Sequence, residues 1–459
     1  MRGAIHSEAQ TGKRTFAATI PAFFIGLPAL LFYGTIFTHL KNLPLYDDYD
    51  AILEFFNQMA QAKGVAAKFL VFLAGQNNEY KLFFVHGLTW AEVALLGHIN
   101  FVILCAVGNS AVLVLAFQLW LMFLPDEKDM VRRLGFYVPV AWLLFQLEYW
   151  ETLNWAMASL QNLWVIVFSF GAIQCMLGRS RRSYAASLLL YALAISASGN
   201  GFLLLPIGLM IFAIRHQMSR AAGWITVTAV CIAAYAYRYN IMSSQAPSHG
   251  SVLATLQHLR LDYAIAFVGN SGAVASAWPF GVFICMILGA GLLLFFGWLG
   301  WRGFYRRNPA SGCCVVFLLL TAVGVAGIRS EFGIGQSMAP RYNIYGVLLL
   351  ILAWSAFAGE FLERRSSPLL NNGPYLMMTV MAIVFSLCVD QIGSMSLARR
   401  EQDTVRGMQE FEQSATSDTG AGPVVPFIRE TPGLAVFRSR TRGILQESIR
   451  FGVYSPPRY

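Results

Sequence analysis

Long apolar runs separated by short polar stretches dominate the sequence. The first run, Phe16 to Thr38, contains no charged residue and is long enough to cross a bilayer core of about 30 Å. Runs of this kind predict about eleven membrane-spanning helices. They lie near residues 16–38, 100–124, 135–149, 157–177, 184–197, 202–214, 223–239, 279–298, 312–328, 342–359 and 375–392. The pattern therefore predicts an all-α polytopic membrane protein, in which Gly199-Asn200-Gly201 breaks the chain between the fifth and sixth spans.

The longest stretch between two predicted spans, residues 39–99, carries two amphipathic segments. The first begins near Asp48, and its apolar positions recur at helical spacing. These positions are Ile52, Leu53, Phe55, Phe56 and Met59. The second segment runs from Leu82 to Leu96. Segments with one apolar and one polar face, next to a membrane span, are typical of juxtamembrane helices that lie in the membrane interface.

The last part of the sequence differs from the rest. Residues 393–459 hold many charges, prolines and glycines, and they show little apolar periodicity. Such a segment is expected to be a small extramembrane appendage with little fixed structure. The chain is therefore predicted to comprise a transmembrane domain, residues 1–392, and an extracytoplasmic C-terminal appendage, residues 393–459.

Composition and charge agree with a membrane protein. Hydrophobic residues make up 56% of the chain and charged residues 12%, whereas soluble domains average about 25% charged residues. With a cytoplasmic N-terminus, the inward segments hold 16 Lys and Arg and the outward loops hold 8, as the positive-inside bias requires. This bias also accounts for the net charge of +9, so we expect membrane lipid and no nucleic acid among the partners. The same orientation places residues 39–99 outside the cytoplasm.

An acidic cluster follows the first span. Asp47, Asp48 and Asp50 lie within four residues of one another, at the predicted outer membrane surface. Carboxylates this close repel one another, which raises at least one pKa unless a cation or a base neutralises them. The cluster therefore suits a general base or a divalent-cation site. A helix cap within a solvated interfacial patch is the alternative.

Two later stretches add polar residues on the same predicted side. Asn78-Glu79-Tyr80-Lys81 is either a polar turn or a second source of site residues. Arg329 and Arg341 flank Glu331 at the ends of two apolar spans. Guanidinium groups bind phosphate oxygens in a bidentate manner, although Arg at a lipid surface also extends to the interface without further function. Lys41 and Lys81 are further candidates for an anionic ligand.

This layout resembles the GT-C superfamily of polytopic glycosyltransferases. Its members share a cytoplasmic N-terminus and a first helix followed by a long outward loop, which begins with acidic residues and carries juxtamembrane helices; Asp47 and Asp48 match those acids. The sequence is also similar to bacterial members in which Asn-Glu-His-Arg follows the Asp pair, a motif that stands here as Asn78-Glu79-Tyr80-Lys81, with His and Arg replaced. The stretch from Arg329 to Tyr342 resembles the same proteins, among them a pilin arabinofuranosyltransferase branch.

The resemblance implies an inverting transfer of a sugar from a polyprenyl-phosphate donor to a lipid-linked glycan or to a protein such as pilin. The enzyme would lie in the bacterial inner membrane with a periplasmic site. Asp48 or Asp47 would be the catalytic base, and the pair would also hold Mg²⁺ or Mn²⁺ if a divalent cation takes part. Residues for the donor phosphate would be Arg341, Arg329, Lys81 and Lys41. Residues for the sugar or the acceptor would be Asp50, Glu79, Asn78, Glu331 and Tyr342.

Two other classes of membrane protein fit parts of the pattern. A secondary transporter or flippase of lipid-linked sugars would carry charged residues near the middle of its spans and would show internal repeats. An O-antigen polymerase or ligase would place its main outward loop late in the chain, where residues 240–278 contain His249 and His258. Labelled polyprenyl-phosphate sugar separates these classes, because a carrier moves the sugar without transferring it.

Overall fold

Helices form the regular secondary structure of the chain. The computed structural model describes residues 2–125, 127–240, 259–277, 279–362, 373–414 and 432–457. Within these ranges, extended backbone pairs only at two single-residue bridges, Asn77 with Tyr80 and Ile99 with Tyr454. The predicted all-α class is therefore confirmed.

The main α-helices of the described residues are numbered in chain order. They are α1 (Arg2–His39), α2 (Phe55–Gln61), α3 (Val65–Ala74), α4 (Phe83–Leu96), α5 (Phe101–Met122), α6 (Met130–Leu144), α7 (Trp164–Met176), α8 (Arg181–Ala197), α9 (Leu204–Ile214), α10 (Met218–Ala236), α11 (Leu261–Val268), α12 (Gly281–Trp301), α13 (Pro309–Arg329), α14 (Asn343–Phe357), α15 (Gly373–Ser414) and α16 (Pro432–Arg450). Shorter helical turns connect them: Tyr49–Glu54, Trp150–Leu153, Ala156–Ala158, Ser159–Leu163, Gly199–Leu203, Asn270–Ala277, Phe304–Arg307, Ser330–Phe332, Ile334–Met338, Pro340–Tyr342 and Ala358–Leu362.

Among the described residues, seven helical segments are long and apolar enough to cross a membrane. They are Ala18–His39, Phe101–Met122, Ala156–Met176, Gly281–Trp301, Pro309–Phe332, Pro340–Glu360 and Gly373–Gln413. The other four predicted spans correspond to α6, α8, α9 and α10, which are shorter or less apolar. The helices thus support a membrane-embedded protein, and the total of eleven crossings stays a prediction.

The segment Ala156–Met176 lies at the centre of the bundle. In its most apolar stretch, 89% of the residues are buried, compared with 17% for Ala18–His39 and 28% for Gly281–Trp301. Those two outer helices expose large apolar side chains such as Phe23 and Leu294, and extended apolar surface of this kind suits contact with lipid. The central segment is therefore the scaffold on which the other helices pack.

The first amphipathic segment of residues 39–99, the predicted outward loop, packs its apolar face against protein and not against lipid. Ile52 and Leu53 are fully buried, and the other three apolar positions of the predicted stripe are 4% exposed. The stripe exists, but α4 and α16 lie against the helical turns that carry it. Exposed apolar side chains of this loop lie on α3, at Val65 and Phe69, and near the end of α4, at Trp90 and Leu95.

The predicted break between the fifth and sixth spans is confirmed. Gly199–Leu203 forms a 3₁₀ turn between α8 and α9. A Cβ on Gly201 would lie 2.3 Å from the Ile195 nitrogen, so the close return of the chain requires glycine here. Asn200 in this turn donates to the Tyr345 hydroxyl at 3.2 Å. Through this hydrogen bond, the turn after α8 is linked to α14.

The C-terminal part is more regular than the sequence predicts. α15 runs without interruption from Gly373 to Ser414, so the predicted boundary at residue 392 falls inside one helix. α16 returns to the first outward loop, where Asn57 donates to the Ile444 carbonyl oxygen at 3.1 Å and accepts from Ser448 at 2.9 Å. In α16 and in the part of α15 after residue 392, apolar positions are few and stand among charged residues, which hides their periodicity. Residues 415–431 lie outside the described ranges.

Candidate functional site

Two cavities meet at Asp47, within residues 39–99, the predicted outward loop. The Arg cavity, with a volume of about 430 Å³, is lined by Tyr46, Asp47, Asn77, Asn78, Tyr80, Glu151, Trp155, Met157, Ala158, Gln161, Asn162, Arg329, Arg341 and Tyr342. The acidic cavity, with a volume of about 360 Å³, is lined by Asp47, Asp50, Glu54, Phe55, Gln58, Gly75, Gln76, Asn77, Asn78, His86 and Arg440. Asp47 is the carboxylate that both cavities share.

A tight turn after α1 presents Asp47 to both cavities. Tyr46 adopts a left-handed conformation with a φ of 44°, which costs a residue with a Cβ about 1–2 kcal/mol. Its ring packs against Trp155 at a centroid distance of 4.9 Å and against the Arg400 guanidinium at 5.2 Å. A π-helical turn, Tyr49–Glu54, follows directly, and such turns occur often at functional sites. The contacts of Tyr46 therefore hold the backbone in the conformation that exposes Asp47.

Asp48 lies between backbone amides and faces neither cavity. It is 1% exposed. One carboxylate oxygen accepts from the Leu45 nitrogen at 3.0 Å, and the other accepts from the Met157 nitrogen at 2.8 Å. Burial raises the pKa of Asp48 to about 7, although these backbone donors lower it. The predicted catalytic role does not fit Asp48, because its two oxygens join the outward loop to the central segment.

Asp47 has the surroundings expected of a general base. Burial raises its pKa to about 6, and the nearby Asp50 carboxylate adds to this effect. The Asn77 side chain and the charge of Arg341 act in the opposite direction. A carboxylate whose pKa lies near the working pH accepts a proton from a reacting hydroxyl more effectively than an unperturbed one.

Arg329 and Arg341 lie together in the wall of the Arg cavity. Each is held by one carboxylate: Arg329 pairs with Glu79, and Arg341 pairs with Glu151 at 3.3 Å. The two arginine side chains are 21% and 28% exposed, so part of each stays accessible. Two guanidinium groups at one cavity form a favourable site for a phosphate.

The structure adds Glu151 and Arg400 to the site, and sequence reasoning missed both. Arg400 is 1% exposed, and it donates to the Glu151 carbonyl oxygen and to the Asn154 side chain, each at 2.8 Å. Its guanidinium also lies 4.5 Å from the centre of the Trp150 ring. The sequence feature that could have indicated Glu151 is a pair of acids next to aromatic residues near position 150. Aromatic residues there equally suit the membrane interface, so this feature did not single out a functional site.

Three residues of the motif at 78–81 belong to the site. Asn78 lines both cavities and has a φ of 48°, a left-handed conformation that asparagine tolerates. Glu79 pairs with Arg329, and Tyr80 lines the Arg cavity. The motif therefore joins the first outward loop to the arginine that ends α13.

Lys81 belongs to the scaffold and not to the site. It is fully buried. Its Nζ donates to the carbonyl oxygens of Leu73, Ala74 and Tyr237 at 3.1, 2.9 and 2.9 Å. The predicted phosphate-binding role does not fit Lys81, because its three N–H groups bind backbone oxygens.

Two other predicted residues lie outside both cavities. Lys41 pairs with Glu401 at 2.9 Å, which ties the end of α1 to α15. Glu331 is exposed in the turn after α13. Asp50, in contrast, lines the acidic cavity and pairs with Arg440 at 2.7 Å.

A third cavity, of about 350 Å³, continues from the Arg cavity. Tyr80, Asn162, Arg329 and Tyr342 belong to both. Most of its other lining residues are aromatic, aliphatic or glycine, namely Gly199, Phe202, Leu203, Tyr235, Tyr239, Gly324, Val325, Ile328 and Tyr345. The polar ones are Glu79, Ser198 and Asn200. This tyrosine cavity places apolar surface directly beside Arg329.

The predicted pair of metal ligands, Asp47 and Asp48, is not arranged to bind a divalent cation. Within the described residues, no group of three or more His, Cys, Asp or Glu side chains is placed to hold a metal ion. Asp48 is not placed to share a cation with Asp47, because it lines neither cavity and both of its oxygens already accept from buried backbone amides. His249 and His258 lie outside the described residues.

The site thus combines a carboxylate of raised pKa, two arginines and an adjoining apolar cavity. Such a set can bind a phosphate attached to an apolar chain and can take a proton from a nearby hydroxyl group. Membership of the GT-C superfamily stays a prediction from the layout of the sequence. Comparison with known proteins found no matching family model, no matching curated protein and no matching solved structure.

Proposed function

We propose that the chain is an inverting membrane glycosyltransferase that moves a sugar from a polyprenyl-phosphate donor to a glycan or protein acceptor. The observation that carries this proposal is the presence of Asp47, Arg329 and Arg341 in the wall of one cavity. Displacement at a sugar phosphate needs a base for the incoming hydroxyl and positive groups for the departing phosphate. These three side chains supply both.

The donor phosphate binds between Arg329 and Arg341, and its polyprenyl chain enters the tyrosine cavity. That cavity shares Tyr80, Asn162, Arg329 and Tyr342 with the Arg cavity. Its apolar walls favour removal of a hydrocarbon chain from water. Glu79 and Glu151 hold the two guanidinium groups in place. Fixed donors of this kind stabilise the charge that grows on the phosphate during transfer.

In the transfer step, the acceptor hydroxyl attacks the anomeric carbon from the side opposite the phosphate, which inverts the configuration of that carbon. Asp47 accepts the hydroxyl proton as the new carbon–oxygen bond forms. The bond between the anomeric carbon and the phosphate oxygen breaks, and the phosphate keeps the electron pair. Asp48 supports this step only indirectly, by holding the turn that carries Asp47.

We infer in addition that α6, α8, α9 and α10 cross the membrane, giving eleven crossings in a bacterial inner membrane. Their connections lie at two different ends of the bundle. Arg215, just after α9, donates to the Leu177 carbonyl oxygen at one end, whereas Tyr237, just after α10, accepts from Lys81 near the motif that contacts the site. The excess of Lys and Arg at the first end favours the cytoplasm for that end, and hence the periplasm for Asp47.

The test of this function uses the full chain in lipid nanodiscs with radiolabelled decaprenyl-phosphate pentose and hexose donors and a bacterial envelope glycan extract as acceptor. We expect label to reach the glycan or protein fraction. Arg341→Ala should weaken donor binding by about 1.5–3 kcal/mol, because a charged hydrogen-bond donor is lost. Glu151 keeps Arg400 as a partner in this variant, so the fold should survive.

The control variant is Arg260→Ala, which removes an exposed arginine paired with Asp262 on the surface. It should change neither donor affinity nor transfer. Unchanged donor affinity in Arg341→Ala would place the phosphate elsewhere and would contradict the proposal. Sugar that crosses a vesicle membrane without transfer would instead identify a carrier, and transfer from diphosphate-linked donors alone would identify a polymerase or ligase.

A further inference from the structure

The acidic cavity has a negative balance of charge. Asp47, Asp50 and Glu54 bring carboxyl groups to it, and Arg440 brings one cation. Arg440 pairs with Asp50 at 2.7 Å, and Glu54 accepts from the Gln58 amide at 3.0 Å. An anionic ligand would meet net repulsion in such surroundings. The cavity therefore favours a ligand that is neutral or positive.

His86 adds an unpartnered hydrogen-bond acceptor to the same cavity. It is 2% exposed, and its ring stacks on Phe55 at a centroid distance of 3.8 Å. Nε2 lies 2.9 Å from the Ala51 carbonyl oxygen, so Nε2 carries the proton and Nδ1 presents a lone pair. Nδ1 has no hydrogen-bond partner. Burial lowers the pKa of His86 to about 3, which keeps the ring neutral.

Gly75 lies against this buried acceptor. A Cβ at Gly75 would lie 3.0 Å from Nδ1 and 2.8 Å from Cε1 of His86, so any larger residue would crowd the nitrogen. A buried acceptor that lacks a partner favours a ligand that donates a hydrogen bond to it. The carboxylate and amide oxygens of the other walls also accept hydrogen bonds and favour a ligand with donor groups. Hydroxyl groups supply such donors without adding charge.

We propose that the acidic cavity binds the acceptor as a neutral, hydroxyl-rich carbohydrate chain, one hydroxyl of which donates to Nδ1 of His86. This proposal rests on the glycosyltransferase function proposed for Asp47, Arg329 and Arg341. Asp47 belongs to both cavities, so a sugar in the acidic cavity lies next to the base and opposite the donor side. One wall comes from Arg440 on α16, so the end of the chain helps to form the acceptor site.

The test is saturation-transfer NMR on the full chain in nanodiscs. The neutral probes are mannobiose, arabinobiose and chitobiose, the anionic probe is digalacturonic acid, and the cationic probe is trilysine. At least one neutral disaccharide should bind, and digalacturonic acid should not. Gln58→Trp, at an exposed position in the cavity wall, should weaken that binding about tenfold or more by filling the space.

Two further variants separate binding from folding. His86→Phe keeps an aromatic ring against Phe55 but removes Nδ1, and it should weaken disaccharide binding about tenfold. Ala60→Trp introduces the same side chain as Gln58→Trp at an exposed position of α2 that does not line the cavity, and it should leave binding unchanged. Because His86 is buried and its variant could misfold, Gln58→Trp compared with Ala60→Trp decides the question.

Several results would overturn the inference. They are the absence of binding by all three neutral disaccharides, equal binding in Gln58→Trp and Ala60→Trp, and preferential binding of trilysine, which would indicate a cationic peptide acceptor. Affinity for decaprenyl phosphate is measured on the same samples. Normal lipid-phosphate binding beside failed disaccharide binding would reject this inference alone, whereas loss of both would reject the proposed function.

Discussion

Asp47 and Asp48 are neighbours in the sequence, yet their carboxyl groups meet different surroundings. The left-handed residue Tyr46 turns the chain, so that Asp48 points to the backbone nitrogens of Leu45 and Met157 while Asp47 lines two cavities. Burial raises the pKa of both. The difference in role therefore comes from direction and hydrogen bonding, since the residue type is the same.

Asp48→Asn should destabilise the protein by about 1–3 kcal/mol, because an amide nitrogen replaces one of two oxygens that accept from buried backbone N–H groups. The apparent melting temperature of the purified protein in detergent measures this loss. Asp47→Asn is the matched variant; it should melt near the wild-type temperature and should lose transfer activity. Equal melting temperatures for the two variants would contradict the scaffold role of Asp48.

The rate of transfer should depend on the ionisation of Asp47. Its pKa is raised to about 6, and only the ionised carboxylate accepts a proton, so activity should rise with pH through this value. Below about pH 5 the rate should fall about tenfold for each pH unit. Initial rates at saturating donor, with Asp262→Asn as an exposed carboxylate control, measure the profile. A rate that does not change with pH at and below the pKa of Asp47 would show that Asp47 is not the base.

At the scale of helices, the end of the chain completes the first outward loop. The apolar stripe of residues 52–59 would suit either lipid or protein, because the hydrophobic effect is not directional. α16 covers this stripe, and Arg400 on α15 reaches Glu151 in the site. The predicted appendage is thus part of the surroundings of the site.

Asn57→Ala should loosen α16. Asn57 is fully buried, donates to the Ile444 carbonyl oxygen and accepts from Ser448. Removing its side chain leaves buried polar groups unpaired, at a cost of about 1–3 kcal/mol. Limited trypsin digestion should then cut faster after Arg440 than in the wild type, whereas the exposed neighbouring change Gln58→Ala should not alter digestion. A wild-type rate in Asn57→Ala would mean that other contacts hold α16.

For the molecule as a whole, hydropathy and charge divide the bundle into two ends. Arg133 donates to the carbonyl oxygens of Trp120 and Phe123 near one end, and Arg307 pairs with Glu360 beside it. The other end holds Asp47 and the three cavities around it. This separation of a basic end from the candidate site supports the proposed orientation.

Cysteine labelling tests that orientation. In a Cys388→Ser background, which removes the exposed native cysteine, Gln402→Cys on α15 should react with a membrane-impermeant maleimide in intact spheroplasts. Arg306→Cys, exposed near the opposite end, should react only after permeabilisation. The reverse pattern would put the site in the cytoplasm and would contradict a periplasmic transferase.

The sequence by itself determined the all-α class, the membrane-embedded character, the break at Gly199–Leu203 and the residues from which a site could be built. Hydropathy and helical spacing reflect the solvation of each residue and its near neighbours, and these are local properties. Only the tertiary structure decided that Asp47 and not Asp48 faces a cavity, that Lys81 binds backbone oxygens and that Arg400 joins the site. Each of these outcomes depends on a contact with a residue far away in the chain, such as Met157, Tyr237 or Glu151, and such contacts exist only once the helices have packed.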